Sequence, residues 1–239
     1  VEEPGSAVVV SKLFGDIIRK LPNEEILLEQ AEDGSILIRT HSSEFTVVSL
    51  PVDEFPKIGD QEEEREHLIF DAEIFKDMVK QTSFAASVDE SKGVLVGVLT
   101  EIHPQSVSMV ALDGYRLAVS TEKMNSGQEN HFIISAKIIN EISKIIAEDG
   151  DAEEVEIYLG KKKATFRIDT TEIVLRLMEG EYIKYRDIMP TQSTTDIVIG
   201  RAILQESIER ASLLAREGKN NLIKMTIKNN LLTITSRSE

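Results

Sequence analysis

Apolar and polar positions along this chain alternate between a helical and a strand period, and the two periods recur in a fixed order. From Ser11 to Leu21, Leu13, Phe14, Ile17, Ile18 and Leu21 form one stripe of a helix, opposite Lys12, Asp16, Arg19 and Lys20. Ser11 is the expected cap, and Pro22 forbids continuation. Strand-like runs follow at Glu25 to Glu29, Ser35 to Thr40 and Glu44 to Leu50, with Asp33-Gly34 as the first turn. Phe55-Pro56 then leads into the acidic stretch Lys57 to Glu66, which reads as a linker.

The order starts again with a strand from His67 to Phe70 and a helix from Asp71 to about Ala86. Ile74, Phe75, Met78, Val79, Thr82 and Ala85 face one way; Lys76, Lys80 and Ser83 face the other. Strands are predicted at Gly93 to Thr100, Ser106 to Leu112, Tyr115 to Ser120 and His131 to Ile134. A helix capped by Ser135 runs to Ala147, with Ile138, Ile139, Ile142, Ile145 and Ile146 inward and Lys137, Glu141, Lys144 and Glu148 outward. Strands at Glu154 to Leu159, Lys163 to Asp169 and Glu172 to Met178 come next, then a second linker from Asp187 to Asp196. The pattern closes with a short strand Ile197 to Ile199, a helix Arg201 to Arg216 ended by Gly218, and strands Leu222 to Lys228 and Leu231 to Thr235.

The order is thus strand, helix, strands, four times over, and the residues repeat with it. Val9-Val10-Ser11-Lys12 resembles Ile133-Ile134-Ser135-Ala136, and Phe55-Pro56 falls where Tyr182-Ile183 falls. Leu68-Ile69, Asp71, Ile74 and Met78 match Val198-Ile199, Arg201, Leu204 and Ile208. Ser11 to Ser135 is 124 residues and Asp71 to Arg201 is 130, so two alternating half-units recur at a long, nearly fixed period. The fold class this implies is α+β: pseudo-symmetric domains, each with two helices on antiparallel sheets. The expected division is 1–60 as the second half of one domain, 61–190 as a complete domain, and 191–239 as the first half of a third. Both ends read as cuts through a longer protein.

The centre of the complete repeat is Met109 to Val119, MVALDGYRLAV. Asp113-Gly114 between two apolar runs predicts a hairpin, since Gly takes positive φ without steric cost. Tyr115, Arg116 and Leu117 set an aromatic ring, a guanidinium and an aliphatic side chain just past the turn. That is either a surface turn with a cross-strand tyrosine or the lining of a partly apolar groove for a peptide.

Composition narrows the function classes. Hydrophobic content of 41% supports a sizeable core, and the absence of cysteine excludes disulfides and thiolate metal sites and fits a reducing compartment. No apolar run approaches the roughly 20 residues that cross a bilayer, so a cytoplasmic protein without a membrane partner is expected. A net charge of −15 argues against a uniformly basic nucleic-acid binder, but leaves local cation clusters open. His41, His67, His103 and His131 are isolated, and neither a phosphate-binding glycine loop nor a G-x-S-x-G elbow occurs. Asp149 and Asp151 lie in a charge run and not in a cleft that would perturb them. No metal, cofactor or catalytic group is therefore expected.

The DGYRLAV stretch is similar to the TDGHRLAV signature of the bacterial sliding clamp family, the beta subunit of DNA polymerase III. Glu179 to Pro190 resembles that family's DGRFPDYRRVLP, and the helix before Pro22 and the Phe55-Pro56 pair agree as well. The resemblance covers essentially the whole chain. It implies a non-catalytic replication processivity factor: a head-to-tail homodimer of three-domain protomers that closes around double-stranded DNA irrespective of sequence, helices lining the hole. Among the helix cations, Arg19, Lys76 and Lys137 are expected to face DNA. It further implies a pocket for short apolar, Gln-containing peptides of the polymerase alpha subunit, the clamp loader and other clamp-binding proteins. The positions that map to it are Leu95, Leu112, Gly114, Tyr115, Arg116, Leu117, Ile183, Asp187 and Ile188. Leu112 replaces Thr, Tyr115 His, Ile183 Pro and Asp187 Arg, the last exchanging a cation for an anion at the rim.

Two other readings stay open on the residues alone. Amphipathic helices expose lysines for solubility, and Glu141, Glu206 and Glu209 sit among the cations, so a peptide-binding scaffold with no DNA role fits too. A small-ligand hydrolase or transferase centred on the DGYR turn would need further polar groups converging on Arg116.

Overall fold

The computed structural model describes residues 4–55, 66–149, 152–218 and 221–237. Pro56, the linker up to Arg65 with its Glu62-Glu63-Glu64 run, the side chain of Asp149 and all of Asp151 lie outside the described residues. The chain divides into two units, 1–182 and 183–239.

The first unit opens with α1 (Ser11–Lys20) and an antiparallel sheet of β1 (Leu27–Gln30), β2 (Ile36–Arg39) and β3 (Glu44–Val47), in the order β1-β2-β3. Phe14, Ile17, Ile18 and Leu21 pack on Ile36, Ile38 and Val47. Leu13, expected inward, sits on the flank of that stripe and stays exposed. Val10, not Ser11, occupies the N-cap, and no side chain caps the helix. Ser11 already lies inside the first turn, where its hydroxyl cannot reach the free amides ahead of it.

Residues 66–149 and 152–182 build around one shared core. After β4 (Glu66–Asp71), α2 (Ala72–Thr82) starts on Asp71, whose carboxylate accepts the Ile74 amide at 2.9 Å. Next come β5 (Gly97–His103), β6 (Ser106–Leu112), β7 (Leu117–Lys123), β8 (Asn130–Ser135) and α3 (Ala136–Asp149). The body ends with β9 (Glu154–Leu159), β10 (Lys163–Ile168) and β11 (Thr171–Arg176). Two four-stranded antiparallel sheets result, ordered β11-β10-β9-β4 and β7-β6-β5-β8. Each half-unit lends its first strand to the other: β4 pairs with β9, and β8 with β5. α2 and α3 pack side by side over one shared core that includes Phe70, Phe75, Met78, Ile134, Ile139, Ile142, Ile157 and Phe166. Burying such side chains is worth roughly 1.5–3 kcal/mol each, so both half-units contribute to a single cooperative interior.

Several expectations shift. α2 stops at Thr82 and tightens into a 3-10 turn, Ser83–Ala85. That rotation buries Ser83, expected on the outer face, where its hydroxyl donates to Asn140 Oδ1 at 2.9 Å. Ile74 and Ile138, expected inward, lie on the helix flanks and are exposed. The strand expected from Gly93 is instead 3-10 structure, Glu90–Val96, kinked at Gly93 (φ 59°). β5 begins only at Gly97, opposite Ser135 of β8.

The second unit contains α4 (Tyr185–Ile188), a turn inside what reads as linker, then α5 (Arg201–Ala215) and the hairpin β12 (Ile223–Lys228) and β13 (Leu231–Ser236). Ile197 to Ile199 forms no ladder, and Val198 is fully exposed. Ile199, Ile203, Leu204, Leu214, Leu232 and Ile234 line an open trough between α5 and β13.

Candidate functional site

The β6–β7 hairpin is held by its own aspartate. Leu112 and Leu117 are its last paired residues, and the Asp113 amide donates to the Arg116 carbonyl at 3.3 Å. Asp113 Oδ1 accepts the amides of Tyr115 (2.9 Å) and Arg116 (3.0 Å), and Oδ2 accepts Arg116 Nε (3.1 Å). Those two backbone bonds first, then the guanidinium, hold the Asp113 carboxyl below its ordinary value. Gly114 has φ 96°, the geometry that only glycine takes without strain. β7 therefore begins at Leu117 and not at Tyr115: the amides that would extend the ladder are engaged by Asp113.

The turn presents Tyr115 wholly to solvent (100% exposed) and fixes Arg116 at two points. Its guanidinium carbon lies 5.6 Å from the centre of the Phe84 ring, within cation–π range, while Asp113 grips the Nε. Phe84 was not among the residues singled out from the sequence; it reads there as one more apolar position at the end of α2. The signal available is that it interrupts the core period, and its ring is exposed.

The other expected pocket residues divide. Leu117 and Leu95 are partly buried, and the Leu95 carbonyl accepts the Ser87 amide at 2.8 Å. Leu112 is only 2% exposed, so it backs this surface and does not form it. Ile183, Asp187 and Ile188 belong to the second unit, where all three are exposed.

The helix cations fall into two groups. Arg19 pairs with Asp16, Lys76 with Glu73 (2.6 Å), Lys144 with Glu141 (2.7 Å) and Arg210 with Glu206 (3.6 Å), each within one helical turn. Lys12, Lys20, Lys80 and Lys137 are exposed and have no carboxylate partner among the described residues. Exposed pairs of the first kind contribute only about 0.3–0.5 kcal/mol, so an incoming phosphate competes with them easily. Two of the three cations expected to meet DNA, Arg19 and Lys76, thus carry a carboxylate beside them, whereas Lys137 does not.

A second polar cluster covers the outer face of β4, β9 and β10. His67 stacks on Tyr158 (4.5 Å between centroids), Glu156 receives His67 Nε2 at 3.2 Å and the Tyr158 hydroxyl, and Arg167 lies 5.1 Å over the Tyr158 ring. Arg167 also reaches Glu172 at 3.9 Å, and the side chains stay partly exposed. Among the described residues no group of three or more His, Asp or Glu is placed to hold a metal ion, and no helix is long and apolar enough to cross a membrane.

Comparison with known proteins identifies the family. Residues 1–59, 69–184 and 186–239 match, in order, the family models for the N-terminal, central and C-terminal domains of the DNA polymerase III beta subunit. The beta sliding clamp of Staphylococcus epidermidis is 33% identical over the whole chain, and that of Bacillus subtilis 31% identical over 95% of it. The chain spans 63% and 60% of the lengths of those two relatives. Among solved structures, the Bacillus subtilis DNA polymerase sliding clamp superposes with a TM-score of 0.86 at 28% identity, over 99% of this chain and 65% of that one. The DNA polymerase III beta chain of Streptococcus pneumoniae gives 0.85 at 26% identity, over 97% and 61%.

Proposed function

Since the chain belongs to the DNA polymerase III beta subunit family, we propose that it is the clamp-forming part of a replication processivity factor. It works without catalysis, by encircling duplex DNA and tethering the polymerase and other clamp-binding proteins through a peptide pocket. The division into 1–60, 61–190 and 191–239 is part of this reading, and the order of the three family matches supports it. So are a head-to-tail homodimeric ring in the whole protein and a cytoplasmic location.

One observation carries the DNA half of the reading. α2 and α3, one from each half-unit, lie side by side over a shared core, and Lys80 and Lys137 extend from them without a carboxylate partner among the described residues. Such a surface attracts phosphates without reading bases, through screened and salt-dependent attraction that permits sliding. Lys76 and Lys137 are the residues assigned to it, and Arg19 is assigned the same role on α1. The pocket half rests on Gly114, Tyr115, Arg116 and Leu117, with Leu112 behind them; Leu95, Ile183, Asp187 and Ile188 are assigned to it by the family resemblance alone.

The test is retention on circular duplex DNA by the protein that carries this sequence, as wild type and as the Arg19→Glu, Lys76→Glu, Lys137→Glu triple variant. Shorter retention of the variant and a shallower salt dependence are expected. Identical lifetimes for the two proteins would take DNA away from these helices and leave the peptide-binding scaffold.

A further inference from the structure

Part of the outer face of the sheet β7-β6-β5-β8 is buried: Leu99, Val110, Leu112 and Ile133 are all below 5% exposed, while Val119 and His131 on the same face stay exposed. The chain after β11 lies across it. The Met178 amide donates to the Ile133 carbonyl at 2.9 Å, and a Cβ on Gly97 would stand 2.8 Å from Met178 Sδ. Gly180, at φ 136°, comes so close to Val94 that its own Cβ would lie 2.8 Å from Val94 Cγ1. Tyr182 ends the crossing with its hydroxyl between two strands, 3.3 Å from the Gly97 carbonyl and 3.4 Å from the Val110 carbonyl.

That hydroxyl stands where the sheet itself opens. The β5–β6 ladder runs from His103/Ser106 to Leu99/Val110 and stops. One more pair of rungs in the same register would join Gly97 to Leu112, but those two strands have parted there. The phenol spans the gap, offering its proton to the two carbonyls and receiving the Leu112 amide, and burial pushes its pKa up to about 12, so it stays protonated throughout the physiological range. The chain's own repeat has Phe55 at the corresponding place. Phenylalanine carries no hydroxyl at that place, so the hydroxyl is particular to Tyr182.

We infer that the Tyr182 hydroxyl is a positioning group for the peptide pocket: it sets the spacing of β5 and β6 at the mouth where Leu95 leads into one strand and the Asp113–Leu117 turn leaves the other. The inference rests on the pocket reading given under Proposed function. Leu95 stands two residues before Gly97, and Leu112 is the residue before Asp113, so the two strand ends joined by the phenol are the two flanks of that surface.

Tyr182→Phe keeps the ring and removes only the hydroxyl. Binding of a fluorescent pentapeptide of Gln, Leu and Phe to the chain, followed by anisotropy, is expected to weaken roughly three- to tenfold, the range of one net hydrogen bond. In hydrogen exchange the amides of Leu112 and Asp113 should speed up in the variant while those of Ile157 and Phe166, in the other sheet, stay unchanged. Equal peptide affinity for wild type and Tyr182→Phe would overturn the inference, as would faster exchange in both sheets, which marks a merely structural role. Arg116→Glu is the control: wild type and Arg116→Glu binding alike would refute the pocket reading itself, whereas a loss confined to Arg116→Glu refutes only the role of Tyr182.

Discussion

Arg116 stacks its guanidinium 5.6 Å over the exposed ring of Phe84 while Asp113 holds its Nε at 3.1 Å, so a residue at the tip of a hairpin is oriented from two sides. A long cationic side chain on a turn otherwise loses its geometry to rotamer entropy. Removing the ring should therefore cost binding without removing the charge. Phe84→Ala is expected to weaken the Gln-, Leu- and Phe-containing pentapeptide roughly two- to fivefold, in line with an exposed cation–π contact of about 0.5–1 kcal/mol. Isothermal titration of the two proteins measures it, and unchanged affinity would mean that Arg116 needs no wall.

The same hairpin predicts a pH dependence with a definite sign. The Asp113 carboxyl is depressed in the folded chain because its ionised form accepts the Tyr115 and Arg116 amides. Its contribution is present above the unfolded value, near 3.9, and is lost as pH falls through the lower folded value. NMR of the Gly114 and Tyr115 amides should show the turn intact at pH 5 and loosened as pH falls below the ordinary aspartate range. Asp113→Asn should flatten that titration; a turn that titrates identically in the variant would assign the transition to another group.

Gly97 tolerates no side chain. A methyl there would lie 2.6 Å from Ile133 Cγ2 and 2.8 Å from Met178 Sδ. Gly97→Ala is expected to lower stability by about 1–3 kcal/mol, the usual cost of overpacking, seen as a lower urea midpoint at constant slope. A midpoint within error of wild type would show that the crossing segment yields freely.

Ser83 links the end of α2 to α3 through Asn140, whose amide nitrogen in turn donates to the Ala136 carbonyl at 2.7 Å. Ser83→Ala removes one of those bonds and should cost about 0.5–1.5 kcal/mol by thermal unfolding. Asn140→Ala, which removes both, should cost more; the reverse ranking would contradict the network.

The helices, most strands and the hairpin could be read from the chain because their signals are local. Phe75, Met78 and Val79 recur at helical spacing, and Asp113-Gly114 needs its own conformation. What escaped reading is set by tertiary contact. Leu112 alternates like a surface-facing residue, yet the Met178–Tyr182 crossing seals it from the far side. Gly93 interrupts an alternating run, and its positive φ, not its neighbours' propensity, delays β5. Phe84 and Tyr182 gain their roles only from Arg116 and from the parted strands. The exchange of β4 and β8 leaves no trace in the pattern, because both half-units have the same order of elements.

That exchange also dictates when the central body can form during synthesis. Glu66 of β4 finds its partner in Leu159, 93 residues later, and until β9 has left the ribosome Leu68 and Phe70 have no strand beside them. Pairings this distant close slowly, and an unpaired apolar strand in the meantime is a template for the wrong neighbour. A nascent chain paused anywhere between β4 and β9 is accordingly the form of this protein most in need of a chaperone.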